Sequence, residues 1–113
     1  MKKIPTTIAR FLEASNSNEI DQMAACFAVD AVVHDVGENI KTQGRPAIRA
    51  WLENTRSKYK LQTRPLEVTG SAEDVEVLAE VSGTFDGSPL KFRYRFKLNR
   101  ELITFLSTTY VDE

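Results

Sequence analysis

The sequence predicts an α+β domain, with helices in its first half and an antiparallel sheet in its second. Three observations carry this. Apolar residues near the start recur at helical spacing, as Ile4, Ile8, Phe11 and Leu12 do. Leu90-Lys91-Phe92-Arg93-Tyr94-Arg95-Phe96-Lys97-Leu98 alternates apolar and cationic side chains without a break, the mark of a half-buried antiparallel strand. Helices grouped ahead of such a sheet pack on one of its faces.

The first helix runs from Pro5, which suits a first turn, to the Ser15-Asn16-Ser17-Asn18 cluster that ends it. Asn18, with Asp21 three residues on, is placed to cap a second helix whose apolar stripe is Ile20, Met23, Ala24 and Phe27. Ala31 to Val36 is short and β-branched and reads as a strand. Gly37-Glu38-Asn39 turns it, and Ile40 to Thr42 returns as a second short strand. Gly44-Arg45-Pro46 opens a third helix that would bury Ile48, Trp51, Leu52, Thr55 and Tyr59. Four long strands follow. Leu61 to Gly70 is the first, and Ser71 to Asp74 turns it into Val75 to Phe85. Asp86-Gly87-Ser88-Pro89 forms the next hairpin loop. The alternating strand comes next, and Asn99-Arg100-Glu101 turns it into Leu102 to Val111.

The 113 residues fit a single domain spanning 1–113. Fifteen Lys and Arg against sixteen Asp and Glu leave no global basic field, so nucleic acid is not an expected partner. No apolar run approaches the length of a bilayer span, so no membrane partner is expected. Met1-Lys2-Lys3-Ile4-Pro5-Thr6 does not read as a signal peptide, and a reducing cytoplasm is the expected location. Cys26 stands alone in the apolar run Met23-Ala24-Ala25-Cys26-Phe27, where a thiol behaves as a small hydrophobe. One histidine without paired ligands does not make a metal site. No glycine-rich phosphate loop or nucleophile elbow appears, so no cofactor is expected.

Phe27-Ala28-Val29-Asp30-Ala31-Val32-Val33-His34-Asp35, followed by Gly44-Arg45-Pro46-Ala47-Ile48-Arg49-Ala50-Trp51, resembles the SnoaL-like branch of the nuclear transport factor 2-like superfamily. The Phe85-Asp86-Gly87 hairpin and the Tyr110-Val111-Asp112 ending fit the same pattern. Ketosteroid isomerases belong to this superfamily. The resemblance implies a cone-like half-barrel whose strongly bent sheet wraps a long helix and encloses an apolar pocket. It also implies a homodimer through the outer sheet face, an expectation that Phe105, facing outward if Leu106 faces in, would serve. Such a fold hosts enzymes and binding modules alike.

The resemblance places Asp35 where the isomerases keep a carboxylate general base. A carboxylate in an apolar pocket is a stronger base than one in water, because desolvation disfavours its charge. The relatives' oxyanion donors, a tyrosine on the first helix and a protonated aspartate on the penultimate strand, correspond to Phe11 and Phe96 here. Loss of one such donor costs about 2.7–4 kcal/mol of transition-state stabilisation, which argues against steroid isomerisation unless Tyr94 or Tyr110 donates from another direction. His34 is the second candidate acid or base. Neighbouring strand residues face opposite ways, so His34 and Asp35 should not both line one pocket unless a bulge intervenes. The residue pattern leaves open which of the two faces in. The resemblance also implies an aromatic ligand-binding wall of Phe11, Trp51, Tyr94, Phe96 and Tyr110, suited to a small apolar ligand.

Two functional classes follow. One is a SnoaL-like enzyme of isomerase or cyclase type, acting by general acid–base catalysis on a small apolar carbonyl compound. The other is a non-catalytic ligand-binding or dimerisation module on the same fold.

Overall fold

A computed structural model describes residues 4–59 and 61–111, excepting the side chains of 56–59. Three helices, α1 (Thr6–Asn16), α2 (Ile20–Ala25) and α3 (Arg45–Tyr59), pack on six strands. The strands are β1 (Phe27–Asp35), β2 (Ile40–Gln43), β3 (Gln62–Gly70), β4 (Asp74–Ser82), β5 (Leu90–Asn99) and β6 (Leu102–Val111). They form one open sheet in the order β2-β1-β6-β5-β4-β3. Every pairing is antiparallel except β1 with β6. The last four strands are therefore a meander, and the first hairpin joins its far edge in parallel. This is the expected α+β half-barrel.

Strand alternation decides what the sheet buries. Along β4, Val75, Val77, Ala79 and Val81 point inward and are buried. On β5, Phe96 faces the same way and is fully buried, and Leu106 does so on β6. Helix α1 meets them with Ile8, Phe11, Leu12 and Ala14. α3 adds Ile48 and Leu52, both inaccessible to solvent. Each fully buried large side chain stabilises the fold by about 1.5–3 kcal/mol relative to exposure.

The sheet bends where its ladders slip. Between Phe27↔Ile103 and Val32↔Phe105, β1 advances five residues while β6 advances two. Leu66 is an extra residue on β3, between Pro65↔Ala79 and Glu67↔Leu78. Thr104 is an extra residue on β6, between Lys97↔Phe105 and Leu98↔Ile103. Bulges of this kind bend a strand and increase its local twist.

The Gly44-Arg45-Pro46 segment has a structural task at the first of these slips. Gly44 adopts φ +90 and donates its N–H to the carbonyl of Ala31 (2.9 Å). Arg45 donates from Nε and a terminal guanidinium nitrogen to the carbonyl of Phe27 (3.1 and 2.6 Å). Two carbonyls flanking the irregular stretch of β1 are thus satisfied by the residues that start α3. At the opposite edge, Asn16 clasps the backbone of Thr63. Its Nδ2 donates to the Thr63 carbonyl (2.9 Å), and its Oδ1 accepts from the Thr63 N–H (2.7 Å).

Phe27 is not on the helix stripe; α2 stops at Ala25, and Phe27 is the fully buried first residue of β1. Asn18 does not cap α2; it takes a left-handed φ of 57 to turn the chain, and Glu19 holds the cap position without a side-chain bond. The strand expected over Val75 to Phe85 is β4, and it ends at Ser82. The side chain of Tyr59, read as part of the α3 face, lies outside the described residues, as does Asp112. No helix among the described residues is long and apolar enough to cross a membrane.

The outer sheet face carries the cationic row of β5, and the row is largely matched. Arg93 pairs with Glu76 (3.4 Å), and Arg64 of β3 with Glu80 (3.1 Å). Arg95 donates to both carboxylate oxygens of Asp74 (3.2 and 3.1 Å). Lys97 sits over the ring of Phe105, 5.6 Å from its centroid. Exposed pairs of this sort each contribute about 0–1 kcal/mol. The Arg95 hydrogen bonds hold the Asp74 carboxyl below the ordinary aspartate range, with Lys97 nearby adding to the effect.

The β5–β6 turn places Arg100 and Glu101 at φ 52 and 64, a conformation that disfavours residues with a Cβ. Replacing them by Asn and Gly should raise stability by about 1 kcal/mol. Thermal unfolding should then shift upward by a few degrees. The bond from the Thr7 hydroxyl to the Glu101 carbonyl (2.6 Å) uses backbone and survives the change. Because the folded-state pKa of Asp74 is lowered, its contribution is present above the ordinary aspartate pKa and lost as pH falls through the folded value. Urea midpoints measured down the acid limb should fall less steeply in Asp74→Asn than in the parent.

Candidate active site

The concave side of the sheet and the facing helices leave a cavity of about 280 Å³. It lies near the lower end of the size range of small-molecule pockets, about 300–1,000 Å³. Its buried wall includes Phe11, Leu12 and Ser15 of α1, Thr63 of β3, Val81 of β4, and Leu106 and Thr108 of β6. Half-buried residues form the rest: Asp35, Trp51, Thr55, Leu61, Phe85, Phe92 and Tyr94. Buried residues make the floor, and the partly exposed ones make the mouth.

Register explains the polar groups. Asp35 of β1 lies beside Thr108 of β6, and Thr108 lies beside Tyr94 of β5. A carboxylate, a hydroxyl and a phenol thus occupy adjacent positions across three strands on one face. Adjacent strands are about 4.8 Å apart, so Thr108 stands one strand spacing from each of the other two. The row below is Val33, Leu106 and Phe96, wholly apolar and buried. The site is an apolar floor beneath a short polar line.

Asp35 sits at the end of β1 and its side chain starts the turn. Its Oδ1 accepts the N–H of Glu38 (3.3 Å). Oδ2 has no protein partner among the described residues. The question left open by the residue pattern is resolved by the β1–β6 register. Asp35 shares the inner face with Val33, and His34 shares the outer face with Val32, Phe105 and Ser107. No bulge lies between His34 and Asp35, so alternation keeps the histidine out of the cavity. The Nε2 of His34 is shielded from solvent and has no hydrogen-bond partner among the described residues.

The expected aromatic wall is partly rearranged. Phe11, Trp51 and Tyr94 line the cavity, and Phe96 and Tyr110 do not. Phe96 is buried behind Phe11, their rings meeting edge-on at 5.8 Å. Phe27 backs Phe11 in the same manner at 5.6 Å. Tyr110 lies near the end of β6 beside Phe92, with ring centroids 6.0 Å apart, and is 47% exposed outside the lining. The positions that would match the relatives' oxyanion donors therefore hold rings packed on each other. Edge-to-face pairs contribute about 0.5–1.5 kcal/mol beyond their burial.

Phe85, Phe92, Thr63 and Thr108 belong to the wall and escape a reading of the sequence as a site. Phe85 carries the one available signal, an aromatic placed just before an Asp-Gly turn. Thr55 also lines the cavity, and its hydroxyl hydrogen-bonds the carbonyls of Trp51 and Leu52 (3.1 and 3.0 Å). Cys26 takes no part. Its thiol donates to the Gln22 carbonyl (3.4 Å), and burial pushes its pKa up, away from thiolate reactivity, against an opposing pull from Arg10. Among the described residues no group of three His, Cys, Asp or Glu side chains could hold a metal ion.

The geometry can be set beside known proteins. Nothing matches among curated proteins. A crystal structure of a candidate polyketide cyclase from Sinorhizobium meliloti superposes with a TM-score of 0.87 at 32% identity, covering 94% of this chain and 95% of that one. A Catenulispora acidiphila protein with a ketosteroid isomerase-like fold, solved in complex with trimethylamine, gives 0.85 at 18% identity, with 96% and 87% covered. A nuclear transport factor 2-like protein of unknown function from Cytophaga hutchinsonii gives 0.77 at 16%, with 98% and 95% covered. The last two similarities concern the fold alone. The profile of the SnoaL-like domain matches residues 8–104, most of the chain and all of the cavity wall except Leu106 and Thr108. The chain belongs to the SnoaL-like domain family.

Proposed function

We propose that this protein binds a small, largely apolar molecule in its central cavity, with Asp35 as the reactive or anchoring group. The observation that carries the reading is the polar line Asp35–Thr108–Tyr94 set above an apolar floor. A pocket that is mostly apolar, with a few convergent polar groups, is the usual form of a small-molecule site. The 32% identical neighbour described as a candidate polyketide cyclase supports an isomerase- or cyclase-type reaction on a carbonyl compound.

In that reaction Asp35 removes a proton next to a carbonyl through its unengaged Oδ2. Charge then develops on the carbonyl oxygen and needs a donor. Phe11 on the wall and Phe96 behind it offer none, and we infer that Tyr94, two strands from Asp35 in the same row, supplies it. A non-catalytic binding module is the second reading, and the Phe11–Phe96 pair is the observation that favours it. In either case we propose a cytoplasmic homodimer joined through the outer sheet face, which bears Phe105, Val32 and the paired charges of β4 and β5.

Trp51 is the only tryptophan and lies on the cavity wall, so its fluorescence reports occupancy directly. Titration with 2-cyclohexen-1-one should shift that emission, and Thr55→Phe, which projects a ring into the cavity, should suppress the shift. With 3-cyclohexen-1-one in heavy water, NMR should show protein-dependent exchange of the protons next to the carbonyl. Asp35→Asn should slow the exchange by about 10²–10⁴-fold, the usual contribution of a general base, with unchanged circular dichroism. Emission changes without any exchange would favour the binding module. Sedimentation at micromolar concentration should give twice the monomer mass; a monomer alone would remove the dimer.

A further inference from the structure

The chemistry of the cavity wall narrows the class of ligand. Five aromatic residues line it: Phe11, Trp51, Phe85, Phe92 and Tyr94. Asp35 is the one charged residue among the lining residues; no Lys, Arg or His joins it among the described residues. The rings of Phe92 and Tyr94 lie nearly parallel, 12° apart with centroids 6.4 Å apart, and make a continuous aromatic strip along β5. Tyr94 belongs to the same cross-strand row as Asp35.

Such a wall discriminates by charge. A carboxylate with no cation beside it among the described residues repels an anionic ligand and leaves an oxygen, Oδ2, to be paired. Aromatic faces carry negative electrostatic potential and attract a cation whose hydration shell is weak enough to be shed. Alkylated ammonium groups meet that condition, because their charge is spread over carbon-bound hydrogens that also pack well on rings. A bare metal ion does not, since the wall gives it one carboxylate and its other side-chain oxygens are neutral hydroxyls. A neutral hydrocarbon would satisfy the rings and give the Oδ2 of Asp35 nothing to pair with.

We propose that the ligand of this cavity is a small organic cation, a tertiary or quaternary alkylammonium compound. Its alkyl groups pack on Trp51, Phe92 and Tyr94, and its charge is set against Asp35. The proposal rests on the reading that the cavity binds a small molecule and specifies what kind. It assigns Asp35 the role of counter-ion in the bound complex. Cavity size limits the ligand to a compact head group with at most a short substituent.

The test compares choline with 3,3-dimethylbutan-1-ol, which has the same shape with carbon in place of the charged nitrogen. Binding of each to the full chain is followed by calorimetry and by Trp51 emission. Choline should bind at least about tenfold more tightly than the alcohol, a difference of about 1.4 kcal/mol. Asp35→Asn should remove most of that preference by weakening choline, and Trp51→Leu, read by calorimetry, should weaken choline more than the alcohol. Equal or tighter binding of the alcohol would overturn the cation proposal and leave the small-molecule cavity standing. Choline binding that is indifferent to Asp35→Asn would overturn it too. If neither compound nor 2-cyclohexen-1-one binds, both the proposal and the reading beneath it fall.

Discussion

Everything that gives this chain a cavity depends on the bending of one sheet. Six strands laid flat would present their inner face to α1 and α3 over its full width, and the helices would fill it. The ladder slips at Ala28–Ala31, Leu66 and Thr104 instead, and the sheet curls. The slips leave backbone groups that the ladder no longer satisfies, and unpaired buried carbonyls are costly. Arg45 and Gly44 answer for two of these on β1, and Thr104 supplies its hydroxyl to the Lys97 carbonyl (3.1 Å) at another. Curvature is thus sustained by specific donors as well as by the extra residues.

The cavity has a graded polarity that follows from strand period. Successive inward residues on β1 and β6 run from Val33 and Leu106 at the floor to Asp35 and Thr108 above them. A shift of one residue in the β1–β6 register would exchange the carboxylate for His34 and bury a different chemistry. The register is held by the apolar residues below, since Val33 and Leu106 are almost completely buried. Packing of the floor therefore positions the polar line. The aromatic floor is itself an interlocked set, with Phe11 meeting Phe27 on one side and Phe96 on the other.

Local pattern sufficed for most of the architecture. β5 was legible because its alternation is unbroken, and α3 because Gly44-Arg45-Pro46 announces its start. Phe27 misled because the spacing Ile20, Met23, Ala24, Phe27 suits a helix; the short α2 ends two residues earlier, and the ring enters the core from a strand. The site was legible in part. Asp35, Phe11, Trp51 and Tyr94 line the cavity, while Phe96 and Tyr110 miss it in opposite directions, one too deep and one too far along its strand. Thr108 and Thr63 could not be read, because what brings them to the wall is long-range register, which no local window contains. His34 and Asp35 needed the same information to be told apart.

An open sheet has two edges, and unpaired strand edges invite pairing between chains. Here β2 exposes only four residues, with Lys41 among them. The other edge, β3, is long enough to recruit a foreign strand. It carries Pro65, which lacks an N–H, and the Leu66 bulge beside it. Near its start, the carboxamide of Asn16 occupies both the N–H and the C=O of Thr63, as a neighbouring strand would. A side chain from the first helix thus stands in for a seventh strand. Its consequence lies in colloidal behaviour: the bond that fastens α1 to the sheet also withholds a template on which aggregates could grow.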